Sequence, residues 1–141
     1  MARVYVDGVF DLFHYGHVNL LRQARALGTT LVVGVVADAD AALYKRTPVL
    51  TQAERLAVVR GCRYADEVIP AQLVLDEAFL RRHQIDVVVH GDDSTQTEFY
   101  AVPLEMGIMQ YLPYTTTVST TEILARVRRA PAGGTVREED E

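Results

Sequence analysis

Residues 30–36 read TLVVGVV, an almost unbroken β-branched run, and no other feature of the chain restricts its fold as much. A strand that is apolar at every position has both faces buried, which is the situation of a parallel sheet covered by helices on each side. The flanking segments agree. RVYV (3–6) reads as a first strand, and HVNLLRQARAL (17–27) follows with Val18, Leu21, Ala24 and Leu27 near a helical period and Gly28 as its expected C-terminal cap. Residues 38–50 read as a loop or a short helix. Thr51 and Glu54 form a capping box that opens a helix in TQAERLAVVRG, ADEVIP is a short strand, and DEAFLRRHQ is a helix beginning near Asp76. DVVVHG is a further strand, TEFYAVPLEMG a helix complicated by Pro103, and IMQYLPY a fifth strand. A second capping box, Ser119 to Glu122, opens a last helix, TTEILARVRR. Strand and helix therefore alternate, which predicts a single doubly wound α/β domain with a five-stranded parallel sheet over residues 1–129. The Pro/Gly-rich and then acidic residues 130–141 read as a disordered tail.

Composition narrows the partners. A chain of 141 residues forms a sizeable core without covalent staples, and the lone Cys62 has no intrachain partner, which favours a reducing, cytoplasmic setting. The start carries no signal-peptide pattern, and no apolar run reaches the length of a membrane span. A net charge of −5 argues against a general nucleic-acid binder, while leaving room for a local basic pocket that takes a small anion.

In open parallel sheets ligands bind beyond the carboxyl ends of the strands, and the polar residues gather there. Asp7 to His17, including Val9, Phe10 and Asp11, follow the first strand, and Asp38 to Arg46 follow the second. His90 to Asp93 follow the fourth, and Tyr114 to Thr121 the fifth. The chain has no G-x-G-x-x-G after its first strand, no G-x-x-x-x-G-K-[ST], no H-E-x-x-H and no thiolate cluster, so dinucleotide, P-loop and zinc chemistry lack their motifs, and no metal ligands are assigned. What the first strand does carry is His14 and His17 around Gly16 at a helix start. Free backbone donors and the positive helix end favour an anion there, glycine permits close approach of a phosphate, and imidazoles donate to oxygens that gain charge in phosphoryl or nucleotidyl transfer.

HYGH within GVFDLFHYGHVNLL resembles the H-x-G-H signature of the nucleotidylyltransferase superfamily, whose fold is Rossmann-like. More narrowly, the chain to about Arg129 is similar to the small cytidylyltransferases that act on glycerol phosphate, phosphocholine and phosphoethanolamine. KRTPVLTQAERLAVVRGCRYADEVIP resembles their lysine, helix and [RW]-x-D-E-V segment. VVVHGDD resembles the phosphoethanolamine branch, and VSTTEIL the R-T-x-G-[IV]-S-T-[ST] signature. The resemblance implies transfer of CMP from CTP to a small phosphate or phosphonate, with release of pyrophosphate, magnesium accompanying CTP, and a homodimer. It further implies that His14 and His17 stabilise the transition state at the α-phosphorus, and that Lys45 holds the acceptor phosphate or the triphosphate. Ser119, Thr120 and Thr121 receive the β- and γ-phosphates, Gly91, Asp92 and Asp93 lie near ribose and base, Asp11 orders the loop, and Arg63 with Asp66 supports the histidines from behind.

One motif departs from the family. Tyr114 stands where the resemblance has an arginine, and Thr117 where it has a glycine. One neutral hydroxyl replaces a five-donor fork, so another cation must compensate, with Arg46, Arg60 and Arg63 as candidates. The change opens the acceptor to phosphonates as well as phosphates. An adenylyltransferase and a non-catalytic CTP sensor are the alternative readings.

Overall fold

The computed structural model describes residues 2–91, 97–113, 115 and 118–130. Five strands form one sheet: β1 (Arg3–Gly8), β2 (Thr30–Val35), β3 (Glu67–Pro70), β4 (Val87–Gly91) and β5 (Met109–Leu112). All neighbours are parallel and the order is β3-β2-β1-β4-β5. The chain works outward from β1 to β3, then returns to β1's other side, so the order reverses between β1 and β4. At that reversal the segments leaving the two strands diverge and open a crevice at their carboxyl ends. The register sets Val4 against both Leu31 and Val87, which lets the continuous apolar runs of β1, β2 and β4 stack across the sheet.

Strand alternation sends Val4 and Val6 to one face and Tyr5 to the other. The first face is covered by α1 (Tyr15–Arg25) and α3 (Gln52–Arg60), whose Leu21, Ala24 and Val59 are fully buried with Leu31, Val33 and Val89. The second is covered by α4 (Glu77–Arg82) and α5 (Ala101–Glu105), with Phe79 and Leu80 packed against Tyr5, Val32 and Val88. This is the doubly wound α/β sandwich that the alternation predicts.

Local signals mostly place their elements, with four differences. The first strand runs on to Gly8, so Asp7 belongs to the sheet. Helix α1 ends at Arg25 with Ala26 as its C-cap, before Gly28; a side chain at Gly28 would come within 2.4 Å of the Ala2 carbonyl oxygen, so this glycine serves close packing instead of capping. TEFYAVPLEMG divides into a 3-10 turn, Thr97–Tyr100, and the five-residue α5. Pro103 falls in α5's first turn, where its missing N–H has no helical partner to lose. Residues 38–50, read as a loop or a short helix, hold both: α2 (Asp38–Ala42) and then a loop. The last helix, α6 (Thr120–Arg129), has Ser119 as N-cap, but only half of the expected box: Ser119 Oγ accepts from the Glu122 N–H, while the Glu122 carboxylate turns to Arg126 and Arg129. Residues 131–141, which hold nearly all of the predicted tail, lie outside the described residues.

Candidate active site

Two histidines begin α1. His14 is the N-cap, its Nδ1 accepting from the Gly16 N–H at 3.1 Å, and His17 Nδ1 accepts in turn from the His14 N–H at 3.2 Å. The pair thus forms a capping box in which imidazoles replace the usual hydroxyl and carboxylate. Two donors that α1 would otherwise leave open are satisfied by ring nitrogens. The geometry also decides the tautomers: a ring nitrogen that accepts a backbone N–H carries no proton, so in each neutral imidazole the proton sits on Nε2. Burial pushes both rings away from the charged form, His17 down to about 3 with the charges of His14 and Lys45 adding to the effect. The rings stack with centroids 3.8 Å apart, and His17 also packs on Phe10 and Phe13. Gly16 makes this possible, since a Cβ there would lie 3.0 Å from His14 Cε1 and 3.4 Å from the Val118 carbonyl oxygen.

The loop before the helix is tightly wound. Phe10 and Leu12 adopt positive φ values of 54° and 50°, a conformation that costs L-residues about 1–2 kcal/mol each. Between them Asp11 joins three segments. Its carboxylate accepts from the Val49 and Leu50 N–H groups at 2.7 and 3.0 Å, and its carbonyl accepts from the Thr120 hydroxyl at 2.9 Å. These three bonds tie the loop to the segment before α3 and to the first turn of α6. Behind it stands Arg55, 0% exposed, donating to the carbonyls of Val9, Val36 and Leu50 and to the Asp38 carboxylate at 2.5 Å. One guanidinium therefore ties together the exits of β1 and β2 and the entry to α3.

These segments enclose a cleft of about 420 Å³ at the carboxyl ends of β1 and β4. The structure brings His14, His17, Lys45, Val9, Phe10 and Asp11 to its walls, along with His90, Gly91, Ser119, Thr120 and Thr121. Gly16 lies beside it, on a small apolar recess shared with Leu20, Pro113 and Val118. Asp92, Asp93 and Tyr114 lie outside the described residues.

Two expected site residues sit elsewhere. Asp38 is absent from the cleft wall because its carboxylate is committed to Arg55. Arg63 is exposed in the turn between α3 and β3, and its supposed companion Asp66 accepts from the Leu31 N–H and pairs with Arg25 at 2.8 Å. Both belong to the opposite end of the sheet, because a helix-to-strand turn in a parallel sheet lies at the amino ends of the strands.

Sequence reasoning missed Leu20 and Pro48 on the wall, gave Asp7 and Gly8 no role beyond their place in the polar stretch after the first strand, and left Arg46 only as one of three candidate cations. Asp7 is 7% exposed and accepts from the Tyr100 hydroxyl at 2.5 Å, with His90 packed edge-on against the Tyr100 ring. Burial pushes the Asp7 carboxyl up, while the Tyr100 hydrogen bond and the nearby His90 pull it part of the way back. Tyr44, close enough to feel the Asp7 and Asp40 charges, is pushed up to about 12, chiefly by burial. The cleft thus has a basic rim at Lys45 and Arg46, a neutral imidazole pair on one wall and an acidic, aromatic corner at Asp7.

The family model described as cytidylyltransferase-like matches residues 5–126. Ethanolamine-phosphate cytidylyltransferase of Arabidopsis thaliana is 42% identical over 135 residues, covering 89% of this chain and 32% of the relative. The enzyme of that name in Dictyostelium discoideum is 44% identical over 130 residues, covering 89% and 36%. Choline-phosphate cytidylyltransferase A of Homo sapiens is 39% identical over 135 residues, covering 91% and 37%. The chain thus spans about a third of the length of these curated relatives. Among solved structures, a lipopolysaccharide core biosynthesis protein from Thermoplasma volcanium GSS1 superposes with a TM-score of 0.69 at 26% identity, covering 82% of this chain and 99% of that one. With the family model matching most of its length and an imidazole pair at the carboxyl edge of its parallel sheet, the chain belongs to the cytidylyltransferase-like family.

Proposed function

We propose that this chain transfers CMP from CTP to the phosphate of a small amino-alcohol phosphate, with phosphoethanolamine the first candidate, and releases pyrophosphate. The observation that carries the reading is the pair of neutral imidazoles, each with its proton on Nε2, facing Lys45 and the first turn of α6 across one cleft. An acceptor phosphate oxygen attacks the α-phosphorus, and the bond from that phosphorus to the bridging oxygen of the β-phosphate breaks. The electron pair leaves with pyrophosphate. The acceptor is ionised at neutral pH, so no general base is required. Nε2–H donors fixed by backbone bonds need no reorganisation as charge grows on the phosphate oxygens. Asp11 and Arg55 act by holding the loops that carry these groups.

The acceptor assignment rests on Asp7. A carboxylate at the pocket wall, braced by Tyr100 and flanked by aromatic rings, suits an ammonium group, and the ethanolamine-phosphate and choline-phosphate names of the relatives support a cationic headgroup. The same corner accommodates a phosphonate that carries an amine, but offers no complement to an uncharged one.

Among the described residues no three His, Cys, Asp or Glu side chains stand together as a metal cage, and Asp11 already accepts two backbone N–H bonds. That donor set fits magnesium carried in on the triphosphate oxygens, where it supplies charge neutralisation. A homodimer belongs to the same reading. Among the described residues β3 and β5 are edge strands with no further strand beside them, and sedimentation equilibrium tests whether a second copy associates.

The acceptor claim is tested with Asp7→Asn. It should lower kcat/KM for phosphoethanolamine by about 10-fold or more, the scale of one charge-assisted contact, while leaving glycerol phosphate within about twofold. Equal losses on both acceptors would remove Asp7 from the headgroup.

A further inference from the structure

The two helix starts facing the cleft are not equivalent. At α1 the His14 and Gly16 N–H groups are already taken by imidazole nitrogens. At α6 the Glu122 N–H is capped by Ser119, but the Thr120 and Thr121 N–H groups have no partner within the helix, as helix geometry requires of its first turn. The Glu122 carboxylate, which in a full capping box would lie over that end, is drawn back by Arg126 and Arg129. Among the described residues, no carboxylate then lies over the end of α6, which suits it to a second anion.

The two cations on the rim divide accordingly. Lys45 lies near enough to His17 to help hold it neutral. Arg46 reaches the other way, its Nη1 donating to the Thr121 hydroxyl at 3.2 Å on the first turn of α6. The backbone just beyond it is anchored by the Asp11 carboxylate through Val49 and Leu50, and Thr120 is anchored to the Asp11 carbonyl. Arg46 therefore spans from one side of the cleft to the other on a braced loop. A hydroxyl is a weak partner for a guanidinium, and phosphate oxygens at this position would be much better ones.

We propose that Arg46 is the residue that grips the terminal phosphates of the nucleotide, together with the α6 N-terminus, and so makes the site select a triphosphate over a monophosphate. The proposal rests on the nucleotide reading above and adds to it a division of labour. Lys45 serves the reacting end, and Arg46 serves the leaving pyrophosphate.

The test is calorimetric titration of the full chain with CTP and with CMP, both with magnesium, for wild type, Arg46→Ala and Arg46→Lys. The Arg46 side chain is exposed, so an unchanged melting temperature is expected and verifies folding. Arg46→Ala should weaken CTP binding by about 10–100-fold and CMP by less than about twofold, with Arg46→Lys in between, since an ammonium keeps the charge and loses the fork. In steady state the KM for CTP should rise while that for phosphoethanolamine stays within about twofold. Equal weakening of CTP and CMP, or an effect confined to the acceptor, would overturn the assignment. Wild-type protein that binds CTP with no pyrophosphate release would refute the transfer reaction, and the CTP-to-CMP ratio would still decide Arg46. Failure of the wild type to bind CTP would refute both.

Discussion

On the proposed reaction His14 has two tasks for the two nitrogens of one ring, and substitution separates them. Nδ1 caps α1 on the cleft wall, while the Nε2–H is the proposed donor to the phosphate. In His14→Asn the amide oxygen can take over the cap, as asparagine commonly does, and the Nε2 donor is lost. Melting temperature should stay within a few degrees of wild type while kcat falls by about 10²–10³-fold, the usual loss for one donor to a developing oxyanion. His14→Ala should lose both, with about 1 kcal/mol of stability gone as well. A well-folded His14→Asn enzyme with near-normal turnover would contradict the assignment. His17 adds a pH signature. Its folded-state value is depressed to about 3 against about 6.5 in the unfolded chain, so the unfolded state binds a proton first as pH falls. The stabilisation is complete above about pH 6.5 and is lost progressively on acidification toward pH 3, the unfolding constant rising by up to about tenfold per pH unit from this group alone. Urea melts of the ligand-free protein at pH 7, 6 and 5 should show that decline, and His17→Asn should flatten it.

At the scale of elements, the exits of β1 and β2 are held in place by a residue from a helix. Arg55 sits in TQAERLAVVRG, where the pattern reads as an ordinary amphipathic helix and gives an arginine no reason to be buried. Its burial follows from tertiary bonds to three carbonyls and to Asp38, which no local pattern encodes. Arg55→Ala should cost about 3–5 kcal/mol, because it leaves buried acceptors and the Asp38 carboxylate unmatched. Arg55→Lys should recover little of that, since one ammonium cannot span the same fork of partners. A loss below about 1 kcal/mol by denaturant titration would show that the strand exits hold themselves. The contrast with the Thr51–Glu54 box is instructive. That box lies within four residues, was legible from sequence, and is present as read. The Ser119–Glu122 box has the same local signature but loses half its bonds to Arg126 and Arg129 one and two turns on.

Across the whole molecule, strand runs and helix periods made the doubly wound sheet readable, and the polar strand ends marked the face on which the cleft lies. Distance from the sheet edge was not readable. Arg63 and Asp66 carried motif resemblance yet fall at the amino ends of the strands, whereas Asp7, placed among the polar residues after the first strand but given no role, lies within that strand and reaches the pocket. Charge followed the same logic. A chain of net charge −5 concentrates Lys45 and Arg46 at one rim, so attraction for an anionic nucleotide is local and screened beyond about 10 Å in ordinary buffer. These features support the proposed transfer of CMP. The most direct measurement is phosphorus NMR of the purified chain with magnesium, CTP and phosphoethanolamine, run beside a sample in which ATP replaces CTP. The account predicts a cytidine diphosphate ester of ethanolamine and pyrophosphate growing in equal amounts from CTP, with ATP inert. Pyrophosphate appearing with CMP and no such ester, or a product formed from ATP as readily as from CTP, would contradict it.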